Sequence, residues 1–209
     1  IRDRMDTVHI TSEEQLRAIV GDPHETVIKK VKTRLQDVHR EWLAATPMIF
    51  VATSDADGRV DVSPKGDPAG KIAHVIDDRT IAIPERPGNR RVDGYLNILS
   101  NPRVGTISVI PGRGDTLRIN GTARIVDDGP YFDDLAVRDQ RPILAVEIST
   151  DEVYFHCAKA FLRSELWKPD TWRPDAVASL AQLTKRLMPE IADEIPDDYT
   201  EESFRPHLY

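Results

Sequence analysis

Val104-Gly-Thr-Ile-Ser-Val-Ile110 and Thr116-Leu-Arg-Ile-Asn-Gly-Thr-Ala-Arg-Ile-Val126, joined by Pro111-Gly-Arg-Gly-Asp115, decide the fold. Both runs are rich in β-branched residues and alternate apolar with polar or small side chains, the period of a half-buried strand. The Pro/Gly-rich segment between them has hairpin chemistry. Working outward, the same period recurs. Met48–Thr53 and Arg59–Ser63 flank a turn at Ser54-Asp-Ala-Asp-Gly58, and Ile72–Ile76 and Thr80–Ile83 flank Asp77-Asp-Arg79. Pro142–Ser149 reads as a further strand that Val153–Cys157 extends. About six or seven strands separated by short turns predict a mainly β chain with flanking helices, an antiparallel barrel or sandwich rather than a βαβ fold. Asp55 and Asp57 have the look of a calcium loop, but Val60 stands where such a loop needs glycine and no Glu closes it.

Helical spacing brackets and interrupts the strands. Thr11 or Ser12 caps a helix carrying Leu16, Ile19 and Val20, and Gly21-Asp22-Pro23 ends it. Val27, Val31, Leu35, Val38 and Trp42 predict a second. After the turn Pro87-Gly88, Asn89 is placed to cap a helix with Val92, Tyr95, Leu96 and Leu99 on one face, ended by Asn101-Pro102. A short helix is predicted over Tyr131 to Arg138, another over Ala158 to Trp167, and a last one over Ala176 to Leu187 capped by Asp175. The tail from Pro189 is acidic, with Glu190, Asp193, Glu194, Asp197, Asp198, Glu201 and Glu202, and is expected to pack on a neighbour or hang loose. The resulting plan is an N-terminal helical segment at 1–46, a single β domain at 47–168 and a C-terminal helix and tail at 169–209.

Composition narrows the function classes. Twenty-eight Lys and Arg against 35 Asp and Glu give a formal charge of -7, which argues against a nucleic-acid surface. One cysteine, Cys157, excludes an internal disulfide and a Cys-rich metal centre, and fits a reducing, cytoplasmic setting. No apolar run has the length of a membrane span. His9, His24 and His39 lack ligand spacing, so no metal is expected. The sequence starts at Ile1 rather than Met, which leaves any targeting signal open.

Two stretches carry anion-binding chemistry. Ser63-Pro64-Lys65-Gly66, read as the start of a loop running to Gly70, lets backbone approach an anion while the lysine supplies charge. The Asn89-Arg90-Arg91 helix start offers unpaired N–H groups and two guanidiniums, a phosphate site by its chemistry and otherwise a solvated surface helix. Farther on, Lys159 and Arg163 share a helix face. His156 and Cys157, adjacent in an extended stretch, point apart and make no nucleophile–base dyad; the histidine reads as a pocket residue and the cysteine as buried packing.

Together the strands, the Ser63-to-Asp67 loop, the Asn89-Arg90-Arg91 start and the Leu117-Arg-Ile-Asn-Gly-Thr-Ala123 strand resemble the FMN-binding split-barrel family typified by pyridoxamine 5'-phosphate oxidase. The ending Phe155-His-Cys-Ala-Lys-Ala-Phe-Leu-Arg-Ser-Glu-Leu-Trp167 resembles a bacterial subgroup of FMN-dependent enzymes. The resemblance covers residues 45–168 or so and implies an antiparallel Greek-key split barrel, a homodimer with a flavin at each of two interface sites, and a small-molecule substrate. The oxidase's Arg-x-Val-Leu-Leu-Lys strand resembles Asp61-Val-Ser-Pro-Lys-Gly66, and its Ser-Arg-Lys helix start resembles Asn89-Arg90-Arg91. Thr116 stands five residues before Gly121, where the oxidase has a flavin-contacting glutamine. The resemblance therefore implies cofactor contacts at Ser63, Pro64, Lys65, Gly66, Asn89, Arg90, Arg91, Thr116, Arg118, Phe155, His156, Lys159 and Arg163. Phe161-Leu-Arg163 replaces the oxidase's Arg-Leu-His motif and Phe155 its tryptophan, so the substrate and catalytic residues stay unidentified. The expected activity is an FMN-dependent oxidoreductase, with a non-catalytic flavin-binding or storage protein and an enzyme of the deazaflavin F420 as alternatives.

Overall fold

The structure, a computed structural model, describes residues 7–196 and 200–209. It divides into two compact units, residues 1–31 and 32–209. In the first, α1 (Glu13–Val20) is capped by the Ser12 side chain, which accepts from the Gln15 N–H, and α2 spans Glu25–Lys29. The second helix expected from Val27 to Trp42 is thus not continuous. Lys32 leaves the helical path and pairs as an isolated bridge with Val153, and a separate α3 (Asp37–Ala45) follows. Its start is a capping box: the Gln36 N–H donates to His39 Nδ1 at 3.1 Å, and the Gln36 side chain accepts from the His39 N–H. Trp42 and Leu43 of α3 join the core of the sheet. That places α3 in the second unit, with the strands.

The strands are β1 (Met48–Ser54), β2 (Val60–Gly66), β3 (His74–Val75) and β4 (Thr80–Glu85), then α4 (Asp93–Ser100), β5 (Arg103–Val109), β6 (Thr116–Val126) and β7 (Leu144–His156). They form one seven-stranded sheet in the order β2-β1-β5-β6-β7-β4-β3, antiparallel throughout. No ladder joins β2 to β3, so the sheet stays open. Yet Ile49 and Val51 of β1 share one core with Ile81 and Ile83 of β4, and that requires the sheet to curl around Leu117, Ile119 and Ile148. The β1 pattern shows why the register is fixed. Ile49, Val51 and Thr53 are buried and Phe50 and Ala52 exposed, so a one-residue slip would turn the core out to water. At Asn120/Gly121 a bulge interrupts the β6–β7 register, and a Cβ on Gly121 would stand 2.0 Å from the Ser149 carbonyl oxygen.

Several local expectations are corrected. The stretch from Ser63 is strand as far as Gly66, because β2 is an edge strand and tolerates Pro64 there. Residues 131–138 form successive turns in place of a helix, and bury Tyr131, Phe132 and Leu135 against Ala82 and Ala145. The strand expected from Pro142 and its extension run on as one strand to His156, and Cys157 lies just past its end, exposed rather than buried. Helix α5 covers only Lys159–Ser164, stopped by Glu165 in a left-handed conformation. The last long helix, α6 (Leu180–Leu187), is capped by Ser179 and not Asp175, since Pro174–Ala176 is a separate 3-10 turn. Of the acidic tail, Asp197 and Asp198 lie outside the described residues. Its end packs: α7 (Glu201–Phe204) leads to Tyr209, whose hydroxyl donates to Asp67 at 3.1 Å.

Candidate functional site

Along the β2 edge a cavity of about 800 Å3 opens between β1, β2, β4, β7, residues 86–92 and the first turn of α4. Its base is apolar, made by Val51, Ile83, Ile98 and Val146, all buried. Its wall is polar and comes from the facing strands β2 and β4. Lys65 pairs with Glu85, both side chains being at most 20 % exposed, and the Tyr95 hydroxyl donates to the same Glu85 oxygen. Burial first, and then the hydrogen bond to Glu85, push the Tyr95 phenol above its ordinary range, so it remains a neutral donor. Beside this triad Arg86 Nε donates to the Asp67 carboxylate at 2.9 Å and its Nη2 to the Leu135 carbonyl at 2.6 Å. Arg86 is therefore a structural clamp at the root of the loop that follows.

That loop differs from the expected helix start. The Asn89 side chain accepts from the Arg91 N–H at 2.9 Å, a local turn that uses the oxygen a cap would need, and Arg90 sits at φ 63°. The helix begins only at Asp93, after Val92, without a side-chain cap. Its inward face is Tyr95 and Ile98; of the stripe expected from spacing only Tyr95 turns inward, and Val92, Leu96 and Leu99 are exposed. Arg91 Nε donates to Asp93 at 2.8 Å on the surface. Arg90 lines the cavity and has no ion-pair partner among the described residues, and neither has Asp61. A Cβ on Gly94 would meet Asp61 Oδ2 at 3.2 Å, so glycine is what lets this carboxylate approach the first turn of α4.

The residues singled out from the sequence thus fall into two groups. Ser63, Pro64, Lys65, Asn89, Arg90 and Arg91 line the first cavity; Gly66 lines a second cavity next to it. Lys65 is not the free cation expected, because Glu85 already holds it. The others gather at the opposite end of β6 and β7. Thr116 is buried opposite His156. Phe155 packs against His39 and Trp42, with ring centroids 5.3 Å away in each case. Arg118 lies 5.3 Å over the Tyr154 ring, its Nε enclosed without an acceptor. His156, Lys159 and Arg163 are exposed. Asp61, Glu85, Arg86 and Tyr95 are cavity residues that sequence reasoning missed. Tyr95 alone leaves a signal, one helical turn beyond the arginines, and its spacing reads as part of the apolar stripe. Among the described residues no group of three or more His, Cys, Asp or Glu is placed to hold a metal, and no helix is long and apolar enough to cross a membrane.

Residues 35–157, more than half of the chain, match the sequence profile of the family described as pyridoxamine 5'-phosphate oxidase. The chain belongs to that family, and its open, curled antiparallel sheet with flanking helices is the family's split barrel. Solved structures similar to it include HupZ of Group A Streptococcus, 22% identical, with 57% of this chain and 91% of that chain covered and a TM-score of 0.45. An FMN-binding protein of Syntrophomonas wolfei is 14% identical, covering 56% of this chain and 88% of its own, with a TM-score of 0.41. An F420 reductase is 19% identical, covering 58% and 98%, again at 0.41. A search of the curated proteins found no match.

Proposed function

We propose that the first cavity binds FMN and that the protein is an FMN-dependent oxidoreductase acting on a small substrate. The observation that carries this reading is the division of the cavity into an apolar base and a basic rim. Val51, Ile83, Ile98 and Val146 offer a surface for a flat ring system, and Arg90 and Arg91 offer cations for a phosphate. Asp61, with no cation of its own, is an acceptor for hydroxyl groups between these ends. The donor set therefore fits a phosphorylated flavin. When bound, FMN supplies reversible uptake of a hydride or electrons. The chain's own part is to position it and to shield it from water. Tyr95 and Lys65, locked on Glu85, keep the wall electrically neutral, so the phosphate charge falls to Arg90 and to Arg91, whose pair with Asp93 is exposed and costs little to exchange.

A second copy of the chain would complete the site. Phe50, Val62 and Ile107 lie on one face of β2-β1-β5 and are exposed, and the enclosed Arg118 Nε lies on the same face, one strand over. An apolar patch with an orphaned buried donor is incomplete without a covering surface. A homodimer would cover it and would explain why Thr116, Arg118, His156, Lys159 and Arg163 lie apart from the cavity in one chain.

The test is the visible absorption spectrum of the purified protein together with the mass of whatever denaturation releases. Released FMN, and a dimer mass by light scattering, are the expected results. Release or preferential uptake of F420 would replace the cofactor. A colourless protein that takes up neither would overturn the reading. Tight FMN binding with no turnover of any donor would leave a flavin carrier.

A further inference from the structure

The first cavity shares a wall, made by Pro64, Lys65 and residues 85–89, with a second cavity of about 900 Å3. The C-terminal segment supplies the other part of the second lining through Phe204, His207, Leu208 and Tyr209. Tyr209 is anchored from two sides. Its hydroxyl donates to Asp67 Oδ1, and its ring lies 5.7 Å from the Arg86 guanidinium and 5.4 Å from that of Arg138.

The lining is charged in composition, but its buried ionic groups are already paired with one another. Lys65 is held by Glu85. Asp67, its side chain 1% exposed, takes Arg86 on one oxygen and Tyr209 on the other. Drawing any of these four onto a charged ligand would leave its partner buried and alone, which proteins tolerate poorly. Pro64, Pro68, Pro84 and Pro87 line this space and offer ring carbons and no N–H. Ile72, Phe204 and Leu208 add apolar surface, and His207 is exposed to solvent.

We infer that this second cavity binds an uncharged, largely apolar molecule, and that this is the substrate class of the neighbouring site; only the word substrate rests on the flavin reading. The experiment uses the full chain, with and without saturating FMN, titrated by calorimetry with 2-naphthol and with its anionic isostere 2-naphthoate. Saturable binding of the naphthol in both conditions, at least about tenfold tighter than the naphthoate, is expected. The double variant Phe204→Ala, Leu208→Ala, on the solvent side of the cavity, should weaken the naphthol about tenfold; His207→Gln should not. Equal affinity for the two probes, or naphthol binding indifferent to the double variant, would overturn the inference. Failure of FMN uptake with naphthol binding intact would instead remove the flavin reading and leave the cavity's preference standing.

Discussion

The two ends of the curled sheet use similar residues in opposite ways. Around β2 and β4, ionisable groups are buried in pairs beside a cavity, Lys65 with Glu85 and Asp67 with Arg86, with exposures from 1 to 20%. Beyond the bulge at Gly121, Lys159 and Arg163 stand on an exposed helix with no buried counter-charge, and the half-buried aromatic Phe155 packs against the core. Buried pairs hold a shape before any ligand arrives. Exposed cations shape nothing until another surface covers them. The first end is therefore a formed cavity and the second an open surface.

The sharpest way to break this comparison is at the bulge between the two ends. Gly121→Ala drives a methyl group into the Ser149 carbonyl, and is expected to cost more than about 3 kcal/mol in urea denaturation, or to prevent folding. Next, Lys65→Met leaves the Glu85 carboxylate the Tyr95 hydroxyl but no counter-charge, and should cost roughly 3–5 kcal/mol. Lys159→Met should stay within about 0.5 kcal/mol in the same assay; equal costs would erase the distinction between the ends. On binding, Arg90→Ala is expected to weaken FMN by roughly tenfold to a hundredfold and riboflavin hardly at all, by flavin-fluorescence titration. Parallel losses for both ligands would take the phosphate away from Arg90. The smallest effect concerns His39 under the far end. Burial holds its imidazole below the ordinary 6.5, so the unfolded chain takes up the proton more readily. Its contribution is thus full above pH 6.5 and is lost as pH falls through the lowered folded value. Melting temperature should decline on that acid side, and His39→Gln should flatten part of the decline.

What was readable in the sequence was what is local. The alternation in β1, β5 and β6 gave the strands, and Asp55-Ala-Asp-Gly58 gave its turn because the Asp55 side chain accepts from the N–H groups of Asp57 and Arg59. Proline misled at β2, since only the sheet order reveals that Pro64 sits on an edge. Asn89 misled because an Asn oxygen serves a local turn as well as a helix cap, and Arg90 is one of the few non-glycine residues with positive φ. The pairing of Lys65 with Glu85 joins residues 20 apart across the cavity wall, and that of Tyr209 with Asp67 joins residues 142 apart. Neither leaves a periodic trace. Of the candidate site, then, the loop and strand residues were legible, and the partners that set their charge were not.

Pro64 has one more consequence. In an antiparallel pair each residue exchanges both backbone bonds with its neighbour or neither. Pro64, opposite Phe50 and without an N–H, takes the second kind of position, so its nitrogen points off the sheet. The rim of β2 is missing a donor where another strand would need one, and the rim at the other extreme, β3, is only two residues long. An open sheet is a template for endless stacking of copies. Here both margins are blunted, so the chain can present a broad apolar face to one partner without inviting a fibre.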